Sequence, residues 1–283
     1  MKKFKILTLS IALAISCLIS SSSFAQNKQV SIDSYLRDLP KNIDTKKAKP
    51  YKMFVTSKWE NRQIDGNFMN SLFTTGYFTI GLDSNRVRWN NVLVKRSIGN
   101  ENTFSDAQSI DCLEGFTYKI PSTDFLKEGF YKNCPAADLD LIRNMIMDPM
   151  ISYFGFAYFD SLKINVPFKP QLEQGNSIKA EFENYGSHKI ANLELIWTGV
   201  SKINGVLCAI ITYRSHSNLI NLKTKDMEVV GQSHWWGNYW ISLSDKHLEY
   251  MTLYEDAPCK IFMEAIPTMF INIHREIVFE HVK

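Results

Sequence analysis

Residues 192–213 read NLELIWTGVSKINGVLCAIITY. Leu193, Leu195 and Trp197 alternate with Glu194 and Thr198, the period of two that puts one set of side chains into a core and the other toward water. Asn204-Gly205 tolerates the positive φ that a two-residue hairpin turn requires at both central positions, and a second apolar run, 206–213, follows it. The stretch therefore predicts an antiparallel hairpin. The next run, GQSHWWGNYW at 231–240, extends the pattern with three of the six tryptophans. As a strand it puts Trp235, Tyr239 and Ile241 on one face, and His234, Trp236, Asn238, Trp240 and Ser242 on the other. The first face is plain core, while the second suits a half-wet binding surface or an interface with a covering helix. Gly237 leaves room beside Trp235 and Tyr239 for an aromatic from a neighbouring element.

Working outward, 244–246 reads as a turn, and 247–254 and 271–282 as strands. Upstream, 51–60 is bulky and aromatic, and 68–82 and 86–94 form a hairpin about a turn at Asp83-Ser84-Asn85. The middle differs. Asp138 is a candidate N-cap for 139–147, where Leu139, Ile142 and Ile146 recur at helical spacing. Asp148-Pro149 suits the N-cap and first position of a second segment, whose MISYFGFAYF (150–159) fits a buried helix or a buried strand. Ser122 is a candidate cap for a helical turn at 124–127. The expected fold is mostly β. It is one domain, 51–283, built as a large curved antiparallel sheet or open half-barrel, with one or two helices near 138–159 covering part of its concave face.

The first 25 residues have a lysine-rich start (Lys2, Lys3, Lys5), an apolar run over 6–19 and a small-residue end at Ser23-Phe24-Ala25. This is the layout of a secretory signal peptide cleaved before Gln26, so the chain is expected in the periplasm or outside the cell. Residues 26–50 form a polar arm. Losing the three leader lysines brings the 32 basic residues level with the 29 acidic ones, and a neutral chain lacks the basic surplus with which nucleic-acid binders neutralise phosphates. No later apolar stretch approaches the roughly 20 residues that span a bilayer. Four cysteines remain beyond the leader. Export permits disulfides among them, and Cys112 with Cys134 and Cys208 with Cys259 are the expected pairs.

The chain has no C-x-x-C, no H-E-x-x-H, no G-x-S-x-G elbow and no phosphate-binding glycine loop. None of His188, His216, His234, His247, His274 and His281 pair at zinc-ligand spacing, so no metal or cofactor is expected. GYFTIGLDSNRVRW, residues 76–89, resembles the opening strands of periplasmic lipoprotein carriers of the LolA type, where a short G-x-F phrase precedes a cationic residue and an aromatic on the next strand. The resemblance implies a curved antiparallel sheet sheltering acyl chains beneath helices. The region around GQSHWWGNYW resembles exported bacterial proteins of unassigned role. The favoured function is a non-enzymatic binding or carrier protein for an apolar or amphiphilic ligand, a lipid or a lipoprotein acyl chain. Phe154, Phe156, Tyr158 and Phe159 would line the concavity with Trp236 and Trp240, and His234 and Asn238 would be polar anchors. The alternatives are a carbohydrate-binding module that stacks sugars on tryptophan, and a hydrolase whose site is gathered from several strands.

Overall fold

The computed structural model describes residues 49–82, 86–172, 177–264 and 266–283, with Phe156 described by its backbone alone. The expected leader, nearly all of the polar arm and the turn at 83–85 lie outside the described residues. Among the described residues no helix is long and apolar enough to cross a membrane.

Among the described residues twelve strands form one antiparallel sheet that does not close into a barrel. Its backbone is β1 (Tyr51–Gln63), β2 (Phe68–Leu82), β3 (Arg86–Ile98), β9 (Val206–Lys223), β10 (Met227–Ser242), β11 (Leu248–Met263) and β12 (Ile266–Val282). Short strands β4 (Gln108–Ser109) and β5 (Thr117–Lys119) pair with β3 at one margin. At the other margin β9 is long enough to serve two partners, β8 (Glu194–Ile203) along its first half and β7 (Gly186–Ala191) along its second, with β6 (Ser177–Phe182) beyond β7. Hairpins supply most pairings. The long-range one is β12 on β1, running from Lys52↔Val282 to Gln63↔Ile271, which joins the two ends of the domain.

The 192–213 hairpin forms as its pattern predicts, with Ile203 opposite Val206 and Asn204 and Gly205 both at positive φ. β10 divides as its alternation requires. Trp235, Tyr239 and Ile241 are buried, whereas Trp236, Asn238 and Trp240 are half-buried and His234 is exposed. The space above Gly237 is taken by Tyr213 of β9, whose ring stacks on Tyr239 (centroids 4.2 Å apart) and whose hydroxyl donates to the Thr252 carbonyl at 2.7 Å. Burying an aromatic of this size is worth about 1.5–3 kcal/mol, and Met53, Phe78, Trp89, Leu253, Ile277 and Phe279 extend the same buried face across the sheet.

The middle is one helix, α1 (Leu139–Ala157), with Pro149 inside it, and not two segments divided at Asp148-Pro149. Proline removes one backbone donor and crowds the carbonyl four residues earlier, which ordinarily breaks a helix. Tertiary partners hold the helix on either side of the proline. Tyr118 Oη donates to the Ile146 carbonyl at 3.0 Å, and Tyr239 Oη to the Ile151 carbonyl at 2.8 Å. Asp148 is therefore no cap. Its carboxylate points into the sheet, and Asp138 ends a preceding 3-10 turn and pairs with Arg96 at 2.5 Å. Ser122 does accept the Asp124 N–H at 3.1 Å, at the start of the 3-10 turn Asp124–Leu126. Helix and sheet touch at Gly155, where a Cβ would lie 2.9 Å from the Tyr239 ring.

Cys112 and Cys134 are bonded, with Cα atoms 5.3 Å apart, and tie together the loop that leads into α1. The expected second bridge does not form, and Cys208 and Cys259 are buried free thiols. Cys208 sits opposite Ser242 and Cys259 opposite Gly231, near opposite ends of β10. At about 3.3 Å of rise per residue they lie far beyond the roughly 7 Å that a disulfide can bridge.

Candidate functional site: a cavity beneath the helix

Between α1 and the concave face lies a cavity of about 640 Å³. Its floor is a run of inward positions on neighbouring strands: Ile220 and Leu222 of β9, Met227 and Val229 of β10, Ala257 and Ile261 of β11, and Ile271 and Ile273 of β12. Met147, Met150, Ile151 and Phe154 of α1 roof it, and Ile178, Ala180 and Phe182 of β6 with Ile190 of β7 close one side. These strands alternate, so each gives the cavity every second side chain. The size lies within the range of small-molecule sites, roughly 300–1,000 Å³, and so does the mainly apolar lining.

Three of the charged lining groups form one buried cluster. Arg275 of β12 lies directly opposite Glu255 of β11, and its guanidinium reaches across to α1. Nη2 contacts both Asp148 oxygens at 2.7 and 2.8 Å, and Nη1 donates to Glu255 at 2.9 Å. The three side chains are only 5–8% exposed. The Trp59 ring flanks the guanidinium at 5.2 Å. Two carboxylates share one arginine, so the fully ionised cluster carries one net negative charge. His188 lines the cavity nearby with Nε2 buried and without a partner, and burial holds its pKa below the usual histidine value. Arg143, also in the lining, is sandwiched by Tyr185 at 3.8 Å and Tyr131 at 5.5 Å.

Burial pushes the Asp148 carboxyl up to about 6, against the attraction of Arg275 and with the repulsion of Glu255 adding to it. An acid whose folded-state pKa lies above its unfolded value of about 3.9 binds its proton more tightly when folded. Its contribution to stability is thus greatest below about pH 4 and declines as pH rises through 6. Asp148→Asn removes this titration. The variant-minus-wild-type difference in unfolding free energy should climb in favour of the variant by about 2–3 kcal/mol between pH 4 and pH 7, measured by urea denaturation. A flat difference across that window would mean that Asp148 is ionised throughout.

Of the residues singled out in the sequence, Phe154 and Tyr158 line the cavity. Phe159 is buried against Trp197, 5.7 Å between centroids. The side chain of Phe156 lies outside the described atoms. His234, Trp236, Asn238 and Trp240 occupy the other face of β10, away from the cavity. There Trp236 stacks on Tyr254 at 5.9 Å, Trp240 meets Tyr250 edge-on at 6.4 Å, and Asn238 accepts from Thr212 at 2.8 Å. The cavity instead takes Trp235, together with the Asp148, Glu255 and Arg275 cluster. That cluster had a signal in the sequence. Arg275 interrupts the apolar row Ile271, Ile273, Ile277, Phe279, and Glu255 interrupts Met251, Leu253, Ala257, Cys259. A charge at an inward position of a strand needs a buried partner.

No family model and no curated protein sequence matches the chain. Among solved structures, one of lipovitellin, described as showing lipid–protein interactions, is similar with a TM-score of 0.40 and 11% identity, covering 83% of this chain and 25% of that one. The chain thus matches only a quarter of the length of that protein.

Proposed function

We infer that this protein binds an apolar or amphiphilic molecule, a lipid or a lipoprotein acyl chain, in the cavity between α1 and the sheet, and that it does so as an exported protein after loss of residues 1–25. One observation carries the reading: a space of about 640 Å³ walled mainly by aliphatic, methionine and aromatic side chains from α1 and seven strands. Apolar lining that meets no partner from the chain itself forfeits dispersion contacts, and an acyl chain restores them. In the polar cluster both terminal nitrogens of Arg275 are taken by Glu255 and Asp148, which ties the helix to the sheet over the space, while its Nε stays buried without a partner.

Filling the cavity tests this. Ala180 is a small lining residue on β6, and Ala180→Trp places an indole where the acyl chain would run. With a fluorescent fatty-acyl probe, the wild type is expected to bind and the variant to bind at least tenfold more weakly, with little change in unfolding midpoint. Equal binding by the two proteins would place the ligand elsewhere.

A further inference from the structure

The ends of the long strands farthest from Tyr51 carry exposed or half-exposed apolar side chains on both faces, interleaved on the outer face with Lys260 and Glu228. On the outer face a row crosses the sheet: Ile64 beside Phe270, Phe270 opposite Lys260, and Lys260 opposite Val230, with Phe262 one step beyond. Ile64 is 69% exposed, Phe270 49% and Phe262 40%, with Ile266 at the β11–β12 turn at 43%. On the inner face of the same strand ends, Met69, Met227, Ile261 and Met269 are only partly buried, packed around Val229, Ala257, Cys259 and Ile271. Four of the ten methionines, Met69, Met227, Met263 and Met269, gather here.

We propose that this two-faced apolar end is a lipid-contact lip that docks on a bilayer surface with the cavity opening onto it. Three features favour lipid as the occupant. A folded protein partner covers one face of a sheet, whereas an acyl medium surrounds both, and here both faces present accessible apolar side chains. The hairpin also remains backbone-paired to Met263↔Ile266, so few N–H and C=O groups would lose water on entering an apolar phase. Finally, Met227, Ile261 and Ile271 belong at once to this end and to the cavity lining, so an acyl chain leaving the bilayer would meet one continuous apolar track. Methionine's flexible, polarisable side chain suits such a shifting contact.

The charges set the character of the docking. Arg62, Lys223, Lys225 and Lys260 are offset here by Asp65, Glu101, Asp226, Glu228 and Glu264, and the Lys260 ammonium rests over the Phe270 ring at 5.4 Å. A rim with no basic surplus is not drawn by anionic headgroups, so binding should depend on apolar burial and little on salt.

The lip's use in loading rests on the cavity reading, but its test stands apart from it. Full-length protein is mixed with phosphatidylcholine vesicles and separated by flotation. The wild type is expected to float, with little change between 50 and 500 mM salt as nominal conditions. Phe262→Ser with Phe270→Ser, both exposed and outside the core, should weaken vesicle binding at least tenfold without shifting the unfolding midpoint. Val282→Ser, at the other end of β12, should leave it unchanged. A wild type that stays in solution, or a double variant that floats as well as the wild type, overturns the proposal. So does a vesicle-free dimer of the wild type that the double substitution dissociates, because the patch would then be covered by a second copy. Uptake of the acyl probe without flotation removes the lip and leaves the cavity reading standing, and flotation without uptake does the reverse.

Discussion

Replacing Arg275 by methionine is expected to destabilise the protein by about 3–5 kcal/mol. The guanidinium is the common partner of Asp148 on α1 and Glu255 on β11, all three nearly inaccessible to water. Methionine keeps an unbranched apolar stem but is shorter and carries no charge, so the variant leaves two carboxylates buried side by side. The cost is therefore desolvation and repulsion more than lost packing. For a domain of this size it corresponds to a fall of roughly 10 °C in unfolding midpoint, readable by circular dichroism. Neutralising the carboxylates as well, with Asp148→Asn and Glu255→Gln in the same chain, should recover a substantial part of the loss, because a buried ion cluster is more harmful broken than absent. If the single variant unfolds within about 1 kcal/mol of the wild type, the cluster does not hold the helix to the sheet. Acyl-probe binding should fall along with stability in the single variant, since Asp148 is the helix's charged attachment to the floor of the cavity.

Gly237→Ala should cost about 3 kcal/mol or more. A Cβ at this position would lie 1.9 Å from the Thr252 carbonyl oxygen and 2.8 Å from the Tyr213 hydroxyl. The first is backbone in the adjoining strand and cannot move without disturbing the β10–β11 register. The second is the buried end of a ring that stacks on Tyr239 and donates to that same carbonyl. Tyr239 in turn holds the Ile151 carbonyl of α1 and lies against Gly155. One methyl group therefore acts on both the sheet and the helix above it. Chemical denaturation should show the loss, and the near-ultraviolet dichroism of the stacked tyrosines should weaken. A variant as stable as the wild type would mean that the close approach of β10 to β11 at this point is not required.

Much of the sheet can be read locally because its decisive features are local. The alternation in 192–213 and 231–241, the Asn204-Gly205 turn and the turn at 244–246 each depend on a few adjacent residues. The helix was legible in position but not in extent. Pro149 and the acid before it have the form of a boundary, but the helix runs through them, and the partners that hold it flank the proline from far away in the chain: Tyr118 and Tyr239, 28 and 88 residues from the carbonyls they bind. The disulfides separate in the same way. Cys112 and Cys134 share a loop, while the distance between Cys208 and Cys259 depends on where each falls along β10. The tryptophans of GQSHWWGNYW were sorted correctly between two faces by periodicity, but periodicity does not say which face meets the helix. That follows from β12 pairing with β1 and from α1 crossing the concave side. The inward charges Arg275 and Glu255 were the clearest pointer to the site, visible as interruptions in two apolar rows before any contact is known.

The central claim is that an acyl chain occupies the space under α1. A photoactivatable fatty-acyl probe, crosslinked to the native protein and mapped by peptide mass spectrometry, addresses it directly. Labelling is expected on Met147, Met150, Ile151 and Phe154 of α1 and on the inward positions Ile220, Leu222, Ile271 and Ile273, and Ala180→Trp should suppress it. Labelling confined to the opposite face, at Trp236, Trp240, Tyr250 or Tyr254, or none at all, would contradict the account.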